Sequence, residues 1–138
     1  MNKNNSFELP NLVEKTLIQL HHRNQNSQRE WVCGKEGQVY VRVTQRFGLE
    51  NRIVSTFELA TIEIDEAFQN QGVFKSVLDV FEKIGDLHQR YVFIENILNP
   101  HILKTVQKRG YEPDPQLPLS LFWKRPSLVL EPKKKMNF

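Results

Sequence analysis

The stretch with the most chemical potential in this 138-residue chain is Ile64-Asp65-Glu66-Ala67-Phe68-Gln69-Asn70-Gln71-Gly72-Val73-Phe74. An extended apolar run precedes it and a helical pattern follows, so Gly72 stands where a helix opens. A helix start offers unpaired backbone N–H groups and the positive end of the helix dipole, and a glycine lets an anion come close to the backbone. Such a turn can hold a phosphate; the plain alternative is an ordinary strand-to-helix connection. Other reactive side chains are less well placed. His21, His22 and His88 lie in or beside helical segments with no carboxylate or cysteine at ligand spacing, so no metal site is expected. His101 falls in the first turn of a later helix, facing either an acceptor or solvent. Cys33 has no second cysteine to pair with and is expected as a buried or half-buried strand residue. Trp31 and Trp123 read as core or interface aromatics rather than stacking platforms.

The elements around the turn follow from periodicity. Leu12, Val13, Leu17 and Leu20 recur at helical spacing after Pro10, which predicts an amphipathic helix ending near Asn24. Residues 31–33 and 38–45 read as two strands of a hairpin around Gly34-Lys35-Glu36-Gly37, with Val39, Val41 and Val43 alternating against Tyr40, Arg42 and Thr44. Residues 53–64, rich in Ile, Val, Thr and Phe, read as a third and a fourth strand. Val73, Val77, Leu78, Val80, Phe81 and Ile84 form one broad apolar helix face beyond Gly72. Tyr91, Val92, Phe93 and Ile94 make a short strand buried on both sides. Asn99-Pro100 then starts a helix that runs to Arg109 and ends at Gly110. A proline-spaced segment, 113–118, leads to a last strand at 119–124 and a short edge strand at 128–131. The order predicts an α/β (α+β) domain with a mixed, mostly antiparallel central sheet and helices on both faces.

Composition limits the function classes. Hydrophobic residues make up 39% and charged residues 25%, which suits a folded chain of single-domain size, expected to span 1–138 with 132–138 as a basic flexible tail. No apolar stretch approaches the roughly 20 residues that cross a bilayer, and the polar start lacks a signal-peptide core, so the expected setting is the cytoplasm, away from membranes. The net charge of +3 is modest and partly carried by Lys133, Lys134 and Lys135. Without a basic stripe interleaved with aromatics, a nucleic-acid partner is not expected.

Two blocks of the sequence together resemble the GNAT superfamily of N-acetyltransferases. The family signature is an apolar residue closing a strand, a short loop, then (Arg/Gln)-x-x-Gly-x-(Gly/Ala) entering a helix; Ile64, Gln69 and Gly72 stand at the matching spacing, with Phe74 in the final small position. The second block is the strand at 91–95 and the helix that starts at Asn99-Pro100 and ends in Lys108-Arg109-Gly110-Tyr111, similar to the family's helix end before Gly-Phe or Gly-Tyr. The resemblance covers roughly residues 38–123.

The resemblance implies acyl transfer, most simply of acetyl, from acetyl-CoA to a primary amine by direct attack, without a metal. The pyrophosphate would lie on Gln69, Asn70, Gln71, Gly72, Val73, Phe74 and Lys75. The backbone of Ile62 and Ile64, on a strand that parts from its neighbour, would pair with the pantetheine amides, and Asn99 would reach the same arm. Glu58 stands where one branch of the family carries its general base; the alternative is a solvated strand carboxylate. Strict alternation puts Glu63 and Asp65 on the face opposite Glu58. Two positions depart from the pattern. Val106 occupies the place of a tyrosine that protonates the leaving thiolate. Phe74 is large, and is expected to point inward and anchor its helix to the sheet beside Phe81. A module of the same fold that binds coenzyme A or a protein without turnover is the competing reading. A homodimer is compatible with an exposed last strand.

Overall fold

A computed structural model describes residues 7–23, 25–95 and 99–127. Nine elements follow in the order α1 (Glu8–His22), β1 (Gln28–Gly34), β2 (Gly37–Phe47), β3 (Ile53–Ile64), α2 (Val73–His88), β4 (Tyr91–Ile94), α3 (Pro100–Lys108), β5 (Glu112–Pro113) and β6 (Phe122–Lys124). The six strands form one sheet in the order β1-β2-β3-β4-β6-β5. Every neighbouring pair is antiparallel except β3 and β4, which run parallel because α2 carries the chain back between them.

The alternation in β2 sets the inner face. Val39, Val41 and Val43 are buried and join Phe57 and Leu59 of β3, Val92 and Ile94 of β4, and Phe122 of β6. Onto this face α1 brings Leu9, Val13, Leu17 and Leu20, α2 brings Val77, Leu78, Phe81 and Ile84, and α3 brings Val106. Each such side chain contributes roughly 1.5–3 kcal/mol by leaving water. The outer face carries a second cluster of Leu49, Val54, Tyr91, Phe93 and Trp123. No helix of the described residues enters it, so the three helices share one face of the sheet rather than lying on both. Trp123 is anchored there by an N–H donated to the buried Asp114 carboxylate at 2.8 Å.

Several boundaries differ from expectation for local reasons. Residues 53–64 form one twelve-residue strand, since no turn residue interrupts them. That strand contains a bulge: Tyr40 pairs with Thr61 and Val41 with Leu59, which leaves Ala60 unopposed. The extra residue inverts the alternation beyond it. Glu58 faces Arg42 and Glu63 faces Gln38, two residues of β2 on the same side, so Glu63 shares the outer face with Glu58 instead of opposing it. The final strand begins only at Phe122 because the N–H groups of Ser120 and Leu121 turn back to the Leu117 carbonyl. Glu112 and Pro113, at the start of the proline-spaced segment, form the edge strand β5, where a proline costs no ladder bond. Cys33 is exposed rather than buried, since β1 is the other edge, and Trp31 is 48% exposed against Tyr40 on the outer face. The strand expected at 128–131 and the basic tail at 132–138 lie outside the described residues.

Candidate functional site

The site begins where β3 loses a neighbour. Pairing with β4 ends at Leu59 and Ile94, closed by the Glu95 N–H on the Leu59 carbonyl at 3.2 Å, while β3 continues to Ile64 paired only with β2. Among the described residues, the β4-facing edge at Ile62 and Ile64 therefore has no strand against it. An unpaired edge of this kind can accept an extended amide-bearing ligand as it would accept another strand. Both residues also pack partly on the inner core.

The turn after β3 is held by its own polar groups. Asp65 donates its N–H to the Glu36 carbonyl at 2.8 Å, and a 3-10 turn follows at Glu66–Phe68. The Gln69 side-chain amide donates to the Ile64 carbonyl at 3.0 Å and that of Gln71 to the Ala67 carbonyl at 2.9 Å. Both glutamines thus fix the loop through their side chains. Asn70 and Gly72 take left-handed backbone angles, φ 64° and 90°, which an asparagine tolerates and a glycine adopts at no steric cost. Gly72 is the N-cap of α2 and has no side chain to cap it; a Cβ built there meets no atom within 4 Å. Ser76 makes the first bond of the helix, to the Gly72 carbonyl. No acceptor among the described residues takes the N–H groups of Val73, Phe74 and Lys75, and the first turn holds no acidic residue. The helix therefore presents unpaired donors, its positive dipole end and the Lys75 ammonium in one place, which is a seat for an anion.

A cavity of about 570 Å³ opens at this seat between β3, α2 and the start of α3. Ile62, Ile64, Gln69, Asn70, Gly72 and Val73 line it, together with Phe74, Lys75 and Asn99. Of the turn residues named from sequence, Gln71 alone is absent from the wall; its side chain bonds the Ala67 carbonyl. Phe74 both lines the cavity and packs partly on the core, so it anchors the helix without leaving the site. Asn99 serves first as the cap of α3: its Oδ1 accepts from the N–H groups of His101 at 2.8 Å and Ile102 at 3.4 Å. Its amide N–H groups are what it can offer to a ligand.

On the α3 side sequence reasoning weighed His101 alone, as facing an acceptor or solvent, and missed the rest of the wall. His101, Ile102 and Thr105 line the cavity, as does Phe68. The i, i+4 spacing of His101 and Thr105 was the available signal. Val106, at the position where the resemblance implies a tyrosine, is fully buried in the inner core.

Glu58 lies apart from this wall, on the outer face at the point where β3 and β4 begin to part. It is fully buried and neither solvated nor free. Its carboxylate accepts from Arg42 Nε and Arg46 Nε, both at 2.8 Å, from an Arg46 terminal nitrogen at 2.9 Å and from the Thr56 hydroxyl at 2.8 Å. Arg42 also pairs with Glu95, and Arg46 lies over the Phe93 ring. Burial pushes the Glu58 carboxyl up, but the Arg46 hydrogen bonds and charge, with Thr56 and Arg42, outweigh it and hold the group below its ordinary range. A general base works best with a pKa lifted toward working pH. The cage does the reverse, and suits a carboxylate that locks β2 to β3.

No family model matches the chain, and no curated protein matches it in sequence. Solved structures do. The toxin AtaT complexed with acetyl-methionyl-tRNAfMet superposes with a TM-score of 0.57 at 15% identity, over 89% of this chain and 87% of that one. A mutant of AtaT bound to the C-terminus of the antitoxin AtaR and acetyl-CoA gives 0.52 at 16%, over 87% and 83%. The KacTA–DNA complex gives 0.50 at 16%, over 86% and 82%. At these identities the likeness carries the architecture: the chain has the fold of the GNAT acetyltransferases, as the two sequence blocks implied.

Proposed function

We propose that the chain transfers an acyl group, most simply acetyl, from an acyl-coenzyme A to a primary amine. The observation that carries this reading is the uncapped start of α2, opening into a cavity whose opposite wall is an unpaired strand edge. The N–H groups of Val73, Phe74 and Lys75 with the Lys75 ammonium would hold the pyrophosphate, and the backbone of Ile62 and Ile64 would align the pantetheine amides. Asn99 would add its side-chain N–H. The thioester carbonyl would then lie near the parting of β3 and β4, where an amine attacks it, the C–N bond forms, the C–S bond breaks and the amine proton leaves to water. Coenzyme A thiolate leaves readily near neutral pH, given an ordinary thiol pKa of about 8.5, so Val106 in place of an acid does not prevent release.

The locked state of Glu58 and the burial of Val106 favour a second reading, a module that binds coenzyme A without turnover. Thiol release from acetyl-coenzyme A, followed with a panel of small amines, lysine peptides and aminoacyl-tRNA, separates the two. The last acceptor is included because a protein of this fold is complexed with an acetylated aminoacyl-tRNA. Acceptor-dependent release supports transfer; saturable binding with no release over any acceptor supports the silent module.

A further inference from the structure

At the end of the molecule away from the cavity, α1 and α2 both finish in histidines. His21 and His22 stand in the last turn of α1 and His88 in the last turn of α2. The rings of His21 and His88 lie 4.2 Å apart between centroids, with His22 5.3 Å from His21 and 6.1 Å from His88. Arg90, just beyond α2, closes the group. Its Nε donates to His21 Nδ1 at 3.0 Å, its Nη1 donates to the carbonyls of Thr44 at 3.2 Å and Thr56 at 3.0 Å, and its guanidinium lies over the Phe57 ring. One arginine thereby joins α1 to β2 and β3.

The joint holds only while His21 is neutral. An Nδ1 that accepts from Arg90 must carry a lone pair, which places the ring proton on Nε2. Protonation removes that acceptor and sets an imidazolium against a guanidinium. No carboxylate offsets the charge: among the described residues none pairs with Arg90, Arg23 is turned to Gln28, Asp86 is engaged by Ser127, and the Glu14–Lys83 pair lies further up the helices. The strands contribute only the Thr44 and Thr56 carbonyls and the Phe57 ring. A helix C-terminus ordinarily favours a cation, but here the balance goes the other way. Burial first, then the neighbouring histidines and Arg90, hold His21 and His88 below the ordinary 6.5.

We propose that His21, His88 and Arg90 form an acid-opened latch between the C-terminal ends of α1 and α2 and the sheet. The unfolded or opened chain takes up protons as pH falls through about 6.5, whereas the closed joint resists them. Stability supplied by the joint is therefore fully present above that pH and is lost as pH falls below it. Histidine is the side chain whose ordinary titration falls in this window, and His21 and His88 are the ones held in the joint. Since α2 runs from the joint to the anion seat, opening frees the far end of the helix that faces the cavity; the latch itself does not depend on what the cavity binds.

Amide hydrogen exchange and histidine NMR titration test the proposal. Between pH 7.5 and 5.5, protection corrected for intrinsic exchange should fall at least about tenfold around His21 and His88 while β2 and β3 hold theirs. His21→Gln, whose side-chain carbonyl can accept from Arg90 at any pH, should flatten that response. Equal pH responses in wild type and variant, or a His21 titration at or above 6.5 in the wild-type protein, would overturn it. Should the variant fail to fold, the wild-type titration alone decides.

Discussion

The starts of α1 and α2 face the same electrostatic problem and meet it in opposite ways. Glu36, in the β1–β2 turn and fully buried, reaches α1 and accepts from the N–H groups of Glu8 at 2.9 Å and Leu9 at 2.8 Å. A charged acceptor thus takes the donors of α1, just as the neutral Asn99 takes those of α3. At α2 no side chain of the described residues does so, and the first turn offers Lys75 instead of a carboxylate. A helix start left open costs about 1 kcal/mol against a capped one. The starts of α2 and α3 both face the cavity, but the α3 start is already capped by Asn99; the cost falls at the uncapped one, and this is where a ligand would supply the missing acceptor.

The contrast can be broken from the capped side first. Glu36→Ala should cost about 3 kcal/mol in chemical denaturation, since it strips a charged, buried acceptor from two N–H groups. It should leave coenzyme A binding intact, because Glu36 does not line the cavity. A smaller loss, about 1 kcal/mol, is expected for Asn99→Ala, the usual effect of removing an N-cap. That variant sharpens the contrast, because Asn99 also lines the cavity and its loss should weaken binding as well as stability. A similar change, roughly 1–2 kcal/mol, is expected for Gly72→Asp from strain at φ 90°, since the Cβ has room and the left-handed backbone differs from the extended one from which a side chain caps a helix.

Legibility in the sequence followed the distance between cooperating residues. The α2 turn is written within seven consecutive residues, 69–75, and its place as a glycine-opened helix start could be read directly, whereas the cavity beside it, walled by β3 and α3, could not. Asn99-Pro100 was equally local, although the cap it forms was less visible than the ligand contact the resemblance implied. Long-range devices were not readable. Glu36 caps a helix that begins 28 residues earlier, and in the sequence it is only a polar hairpin residue. The cage on Glu58 draws arginines from β2 and a hydroxyl from β3, so the residue looked either solvated or catalytic. The bulge at Ala60 left no mark in Glu58-Leu59-Ala60-Thr61, yet it moved Glu63 to the other face. Helix placement on one face, likewise, depends on which apolar sets meet rather than on any one of them.

The central claim is that the open start of α2 is a binding site for the phosphates of an acyl-coenzyme A, and calorimetric titration of acetyl-coenzyme A into wild type and Gly72→Asp tests it most directly. A carboxylate at Gly72 sets a negative charge at the anion seat and repels an anion there, a loss of about 3 kcal/mol or roughly a hundredfold in affinity. The account predicts saturable binding to the wild type and weakening of that order in the variant, with the two proteins within about 2 kcal/mol of each other in stability. Equal affinity in both, or no binding to either, would contradict it.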